Sequence, residues 1–352
     1  MNKIRIEDRE IGQCRPCFII AEVGVNHNGD PELAMKMVEA AAEAGADCVK
    51  FQTFRAQEFV NDAEETYTYT SQGREVTESM LEMFQRLELK QEDFARLFEY
   101  ARELGLVPLS TPTDREAVDL LDELGAEAFK IGSDDLVYTP FLEYVAAKGK
   151  PVILSTGMAG MEDVERAVAA VCGAGNEQII LLHCVSLYPT PDDQVNLHRI
   201  AALRERFGLA VGFSDHSSGI TAALGAVALG GCMVEKHFTL NRDLPGPDHW
   251  FSADPAELKE LVSALRRMEA HLGAEDAALG EGEQDMASLA HRSIVASADL
   301  PAGHCIGEDD LAFRRPGTGL MPYEVDKVIG RRTRGAIAAG TMLDIDMFED
   351  ET

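Results

Sequence analysis

The sequence predicts an α/β protein built as a (β/α)8 barrel followed by a small second domain, and three observations carry that expectation. Short runs rich in Val, Ile and Phe alternate with stretches of helical periodicity eight times before about residue 272. Several helical stretches stop at a glycine, at Gly45, Gly105, Gly125 and Gly230, where a left-handed cap is expected. No G-x-G-x-x-G follows the first strand, which argues against a doubly wound dinucleotide fold. A chain of 352 residues suits a barrel of about 250 residues with one further module.

The expected strands cover 18–25, 48–54, 106–110, 128–131, 151–155, 178–183, 209–213 and 232–237. Helices are expected over 31–44, 91–104, 115–124, 161–172 and 219–229, with 255–272 closing the series. The interruption at 55–87 is far longer than a usual βα connection, so a functional loop over the barrel mouth is expected there. Residues 273–287 are rich in Gly and acids and read as a linker, which assigns 1–272 to the barrel domain and 288–352 to the second. Turn signals at Pro301, Gly303, Pro316, Gly317 and Gly340 predict short strands and helical turns in a module too small to bury much alone.

With 45% hydrophobic and 26% charged residues, and no apolar run approaching the ~18 residues of a membrane span, the chain reads as soluble and globular. Residues 1–5 lead into charged positions rather than an apolar stretch, so a cytoplasmic location without a secretory signal is expected. Among seven cysteines, Cys48, Cys172, Cys184 and Cys232 sit in apolar runs and are expected to be buried and reduced. Cys14 and Cys17 have a redox or zinc spacing, but no second pair or nearby His completes a four-ligand site. A net charge of -29 excludes nucleic acid and anionic membranes as partners, since both repel the chain at long range, and suits a salt-adapted source.

In a barrel of this kind the reactive groups lie at the C-terminal ends of the strands, and here each such end is polar. The first two strands bring Glu22, Lys50 and Gln52, and the next two bring Thr111, Lys130 and Ser133. The fifth and sixth bring Ser155, Ser186 and Tyr188, and the last two bring Ser214, His216, Glu235, Lys236 and His237. His216 and His237, from neighbouring strands, could share one divalent ion with open positions, the arrangement of a Lewis acid, or form a polar rim. Lys50 and Lys130 among hydroxyls suit a carboxylate and a phosphate; alternatively Lys130 or Lys236 is an imine-forming amine of a metal-free aldolase.

Taken in order, the segments IAEVGVNHNG (20–29), VKFQ (49–52), STP (110–112), FKIGS (129–133), ILSTGM (153–158) and HC (183–184) resemble the sialic acid synthase family. So do YPTP (188–191), GFSDH (212–216), EKHFT (235–239), PGPD (245–248) and RRPG (314–317), which extends the resemblance over nearly the whole chain. The resemblance implies a TIM barrel joined to a C-terminal antifreeze-like (SAF) domain, in a domain-swapped homodimer whose small domain carries Arg315 to the partner's sugar site. It implies a cytoplasmic transferase that condenses phosphoenolpyruvate with N-acetylmannosamine to N-acetylneuraminate and phosphate. The alternative acceptor is a 2,4-diacetamido-2,4,6-trideoxymannose, giving N,N'-diacetyllegionaminate; a non-catalytic coat-polysaccharide assembly protein is the reading from a different class. By the same resemblance His216 and His237 hold Mn2+, or Mg2+ or Co2+, and Lys50, Thr111, Lys130, Ser155 and Ser214 grip phosphoenolpyruvate, with Ser133 and Ser186 as further substrate-binding residues. Gln52, Tyr188, Asp248 and Arg315 contact the sugar, and Glu22 or Glu235 serves the reacting carbon. Ser186, Asp135 and His291 depart from the family pattern, which bears on substrate identity more than on reaction class.

Overall fold

The structure, a computed structural model, describes residues 4–62, 64–274 and 277–349. It divides into two compact units, Met1–Gly273 and Ala274–Thr352. In the first, eight parallel strands form the barrel: Phe18–Gly24, Cys48–Thr53, Val107–Pro112, Phe129–Ile131, Val152–Ser155, Ile179–Cys184, Ala210–Asp215 and Met233–His237. Backbone pairing runs three-two-one-eight-seven-six-five-four, and strand three also lies against strand four, so the sheet curls into a nearly closed barrel. All eight expected strands are present, each within about two residues of its expected bounds.

Helices follow the strands at Pro31–Ala44, Gln91–Glu103, Arg115–Glu123, Thr139–Ala146, Met161–Gly173, His198–Phe207, Thr221–Ala228 and Pro255–Leu272. Their starts are written in the sequence. Asp30, Asp114 and Asp254 each accept a bond from a backbone N–H of the first turn, and Pro31 and Pro255 open the helices that follow. Gly45 ends the first helix at φ 84°, its N–H reaching the carbonyls of Ala41 and Ala42.

Strand side chains alternate between the barrel interior and the helix layer. In strand one, Ile19, Ala21 and Val23 join the cluster shared with the helices, while Phe18 and Ile20 face inward. The inward cluster also takes Cys48, Val107, Leu109, Ala128, Ile153, Ile180, Leu182, Cys232 and Met233. A short N-terminal hairpin, Ile4–Ile6 paired with Arg9–Ile11, adds Ile4, Ile6 and Ile11 to this layer and plugs the barrel floor. The sequence reading did not include that hairpin.

The 55–87 segment is ordered rather than a plain loop. It forms a short helix Ala56–Phe59, an antiparallel hairpin Thr66–Ser71 with Arg74–Ser79, and a helix Met80–Leu87. Phe54, Met83 and Leu87 pack with Val25, Tyr69 and Phe84. Gln72 Nε2 donates to the Asp243 carbonyl at 2.9 Å and Gly246 N–H donates to Ser71 Oγ at 3.1 Å, so the hairpin is tied to the loop after strand eight.

The stretch 273–287, read as a linker, takes in the first turns of a helix, Glu281–Ala290. One expectation is corrected. Cys172, expected to be buried, is exposed at the end of its helix, whereas Cys48, Cys184 and Cys232 are buried. The second unit pairs strand Ser293–Ala296 with Leu311–Arg314 and adds 3₁₀ turns at Glu308–Asp310, Pro322–Lys327 and Ile345–Met347. Despite its size it has a core of its own, built on Ile294, Leu300, Ile306, Val328, Ile337, Leu343 and Phe348. Among the described residues no helix is long and apolar enough to cross a membrane.

Candidate active site

The inward phase that places Phe18 and Ile20 in the barrel floor carries Glu22 to the next layer up, and every strand repeats the pattern. Cys48 leads to Lys50 and Gln52, Ala128 to Lys130, Ile153 to Ser155, and Met233 to Glu235 and His237. The apolar floor thus gives way within a single step to a polar layer, charged on strands one, two, four and eight and carrying Thr111, Ser155, Cys184 and Ser214 on the others. Glu22, Lys50, Lys130, Ser155, Ser214 and Glu235 are all buried.

Four charges form the centre of this layer. Lys50 Nζ lies 2.7 Å from Glu22 Oε2 and 3.7 Å from Glu235 Oε2, and Lys130 Nζ lies 3.6 Å from Glu235 Oε1. Lys50 also donates to Thr111 Oγ1 at 3.0 Å, and Ser214 Oγ donates to Glu235 Oε1 at 2.9 Å. Gln52 Nε2 reaches Glu22 Oε1 at 3.4 Å. Burial raises the Glu22 carboxyl well above the usual carboxylate range, against the pull of Lys50 and with the help of the Glu235 charge. Burial opposes the Glu235 charge too, but Lys130 and Lys50 outweigh it and hold that carboxyl low. Two carboxylates around one lysine repel each other, so a proton entering the cluster rests on Glu22. Burial lowers Lys130, whereas Glu22 and Glu235 overcome burial and raise Lys50.

Beside the lysines, Ser155 Oγ and Ser186 Oγ are buried and have no hydrogen-bond partner. Gly157 N–H donates to Ser133 Oγ at 3.0 Å. A Cβ at Gly157 would collide with the Ser186 and Ser133 hydroxyls as they stand, so glycine lets the chain pass close to both. Unsatisfied hydroxyls next to two ammonium groups suit the oxygens of an anion.

The histidines lie on the other side of Glu235. The His216 and His237 rings are 5.3 Å apart, and Tyr188 packs against both, tilted 4.2 Å from His216 and edge-on 5.9 Å from His237. His216 Nδ1 donates to the Val185 carbonyl at 2.9 Å, which fixes that ring and leaves Nε2 as a free donor for a metal. Burial holds the His237 imidazole below its ordinary value, with any charge on His216 and that of Lys50 acting in the same sense, and its buried Nδ1 has no hydrogen-bond partner; Asp248 Oδ2 stands 3.8 Å away. Among the described residues no group of three or more His, Cys, Asp or Glu forms a closed metal cage. Two neutral-capable imidazoles with one orphaned nitrogen fit an open divalent-ion site.

Asp248 is raised to about 6 by burial, and Asp135, near Ser133, to about 7 by burial and then by Asp134. Arg315 is in the second unit, exposed, just past strand Leu311–Arg314. The possibility of Lys236 as an imine-forming amine is corrected: it points outward, its ammonium bonded to Asp215 Oδ2 at 2.9 Å and to the Ser217 and Gly219 carbonyls. A lysine so enclosed by three acceptors is held away from the interior cluster. Phe251, absent from the sequence reading, walls the site 5.1 Å from Tyr188 and 5.2 Å from His237. No spacing signal announces it, because it sits in a single 3₁₀ turn, His249–Phe251.

Residues 37–277 match the model described as the NeuB family, and residues 291–349 match the SAF domain. An uncharacterized protein of Methanocaldococcus jannaschii is 42% identical over 334 residues, 95% of this chain and 95% of that one. The N,N'-diacetyllegionaminic acid synthase of Legionella pneumophila is 41% identical over 336 residues, 94% of each chain. The crystal structure of N-acetylneuraminic acid (sialic acid) synthetase from Leptospira borgpetersenii matches with a TM-score of 0.73 at 35% identity, over 81% of this chain and 94% of that one. Fold and site together define a (β/α)8-barrel enzyme with a buried cluster of two lysines and two carboxylates at its rim. The chain belongs to the NeuB family of sialic (nonulosonic) acid synthases, transferase-type condensing enzymes, and carries a SAF domain.

Proposed function

We propose that this enzyme condenses phosphoenolpyruvate with an N-acetylated amino-sugar aldehyde to give a nonulosonic acid and phosphate. The observation that carries this reading is the buried Lys50–Glu22–Glu235–Lys130 cluster beside partnerless Ser155 and Ser186 hydroxyls. Two ammonium groups take the carboxylate and phosphate of one small dianion, and the hydroxyls complete its oxygens.

In the reaction, the C2–C3 π pair of phosphoenolpyruvate forms the bond from C3 to the aldehyde carbon, the aldehyde oxygen takes the proton that Glu22 holds and becomes a hydroxyl, and C2 becomes electron-poor. Glu235, held ionised by both lysines, faces that developing positive charge. A water then adds at C2, and Glu22, the carboxyl of raised proton affinity, takes its proton. The C2–O bond to phosphate breaks, and the lysines follow the charge onto the leaving group. A divalent ion, manganese for choice, on His216 and His237 would polarise the aldehyde oxygen. Gln52, Tyr188 and Asp248 surround the sugar end, and Arg315 serves it from the second unit of a partner in a homodimer.

Between the two acceptors, the 41% identity to the diacetyllegionaminic acid synthases of Legionella and Campylobacter, against 34% to the human N-acetylneuraminate-9-phosphate synthase, supports the 2,4-diacetamido sugar over N-acetylmannosamine. The test is phosphate release from phosphoenolpyruvate with manganese, with each sugar and with N-acetylmannosamine 6-phosphate, with and without EDTA. Release that depends on the diacetamido sugar and is lost to chelator supports the proposal. Release with N-acetylmannosamine alone reverses the choice of acceptor, and none with any sugar sinks the synthase reading.

A further inference from the structure

The hairpin strand Thr66–Ser71 presents alternate residues on two faces, and Tyr67, Tyr69 and Ser71 share one of them. Ser71 is buried and accepts from Gly246 N–H; Tyr69 is half-buried against the cluster of Val25, Phe54, Met83 and Leu87. Tyr67 comes next on that face, yet it is 41% exposed. Its ring stacks on Tyr69 at 5.9 Å with 24° between planes, so the inner side is covered and the rest is open.

From its anchor at Gly246 the strand runs along the loop after strand eight and touches the turn His249–Phe251, which follows Asp248. Burial, then the charge of Asp248, raises the Tyr67 hydroxyl above its ordinary value, which agrees with the two side chains being neighbours. Phe251 in the same turn packs on Tyr188 and His237. An open aromatic face beside a half-buried carboxylate is complementary to a pyranose or an extended amino sugar. Such a molecule offers C–H surface and acetamido methyls to the ring, and hydroxyls to the carboxylate.

The geometry points to Tyr67 as a specificity-determining residue whose open ring covers an apolar face of the acceptor sugar while Asp248 takes its hydroxyls. This inference rests on the synthase reading above. The test uses the full-length enzyme and the variants Tyr67→Ala and Tyr67→Phe, with KM measured separately for the sugar and for phosphoenolpyruvate. Tyr67→Ala raises the sugar KM about tenfold, as loss of one aromatic contact does. It leaves the phosphoenolpyruvate KM and the melting temperature unchanged, and Tyr67→Phe keeps the sugar KM within about twofold, since the ring carries the contact.

A merely structural part for Tyr67 raises both KM values and lowers the melting temperature; that result, or an unchanged sugar KM in Tyr67→Ala, overturns the inference. If the wild type turns over no sugar, the synthase reading fails separately and calorimetric titration of the same sugars decides. Binding weakened in Tyr67→Ala alone supports the role of Tyr67, and equal binding in both proteins, or none in either, overturns it.

Discussion

Lys236 stands between two inward-facing residues, Glu235 and His237, and for that reason points out of the barrel into a buried pair with Asp215. Polar residues at strand ends are easy to find in a sequence, because they interrupt apolar runs. Which of them face the interior depends on the phase of each strand, and that became clear only with the alternation of Phe18, Ile20 and Glu22 in place. His183 shows the same effect: it stacks outward on Phe213 and bonds the Val195 carbonyl. Replacing Lys236 by Met leaves the Asp215 carboxylate buried without its cation, so a loss of about 3–5 kcal/mol is expected in urea unfolding. Asp135 behaves oppositely. Its carboxyl, raised to about 7 in the folded chain, binds a proton there that the unfolded chain has released, so the protein loses stability as pH rises from about 4 to about 7. Asp135→Asn removes that dependence: the variant melts about 2 °C above wild type at pH 8 and close to it at pH 4 in thermal scans.

Elements with a long period were readable and short ones were not. Pro31–Ala44 and Pro255–Leu272 have their expected bounds, because an Asp cap and a proline mark each start and a glycine follows each end. The N-terminal hairpin has strands of three residues each, too brief for alternation to register, although it supplies three isoleucines to the barrel floor. Thr66–Ser71 did carry a strand signal, an alternation of Thr and Tyr, but its length of insertion drew the reading toward a loop. The hairpin is expected to contribute to stability and not to chemistry. Ile6→Ala, which empties a fully buried position, costs about 2–5 kcal/mol in denaturant unfolding while the KM for phosphoenolpyruvate stays at the wild-type value.

Across the molecule, 61 acidic residues oppose 32 basic ones, and the lysines that gather at the barrel rim lie in a chain of net charge -29. Most of that charge repels itself across solvent, where salt screens it, whereas the buried cluster is shielded from ions by the protein around it. Raising KCl from about 0.1 M to about 1 M is therefore expected to increase the melting temperature by several degrees, read by calorimetry; a falling value would show that attractive surface pairs dominate instead. Among the described residues the hairpin isoleucines pack against the inward apolar layer, so the floor end is filled and the polar end is left for access. Ile4, Ile6 and Ile11 make it a cup and not a tube, so arrivals and departures share one doorway. Whatever lodges against Lys50 and Lys130, just above that floor, is first in and last out, and the order of traffic is set by depth before any chemistry begins.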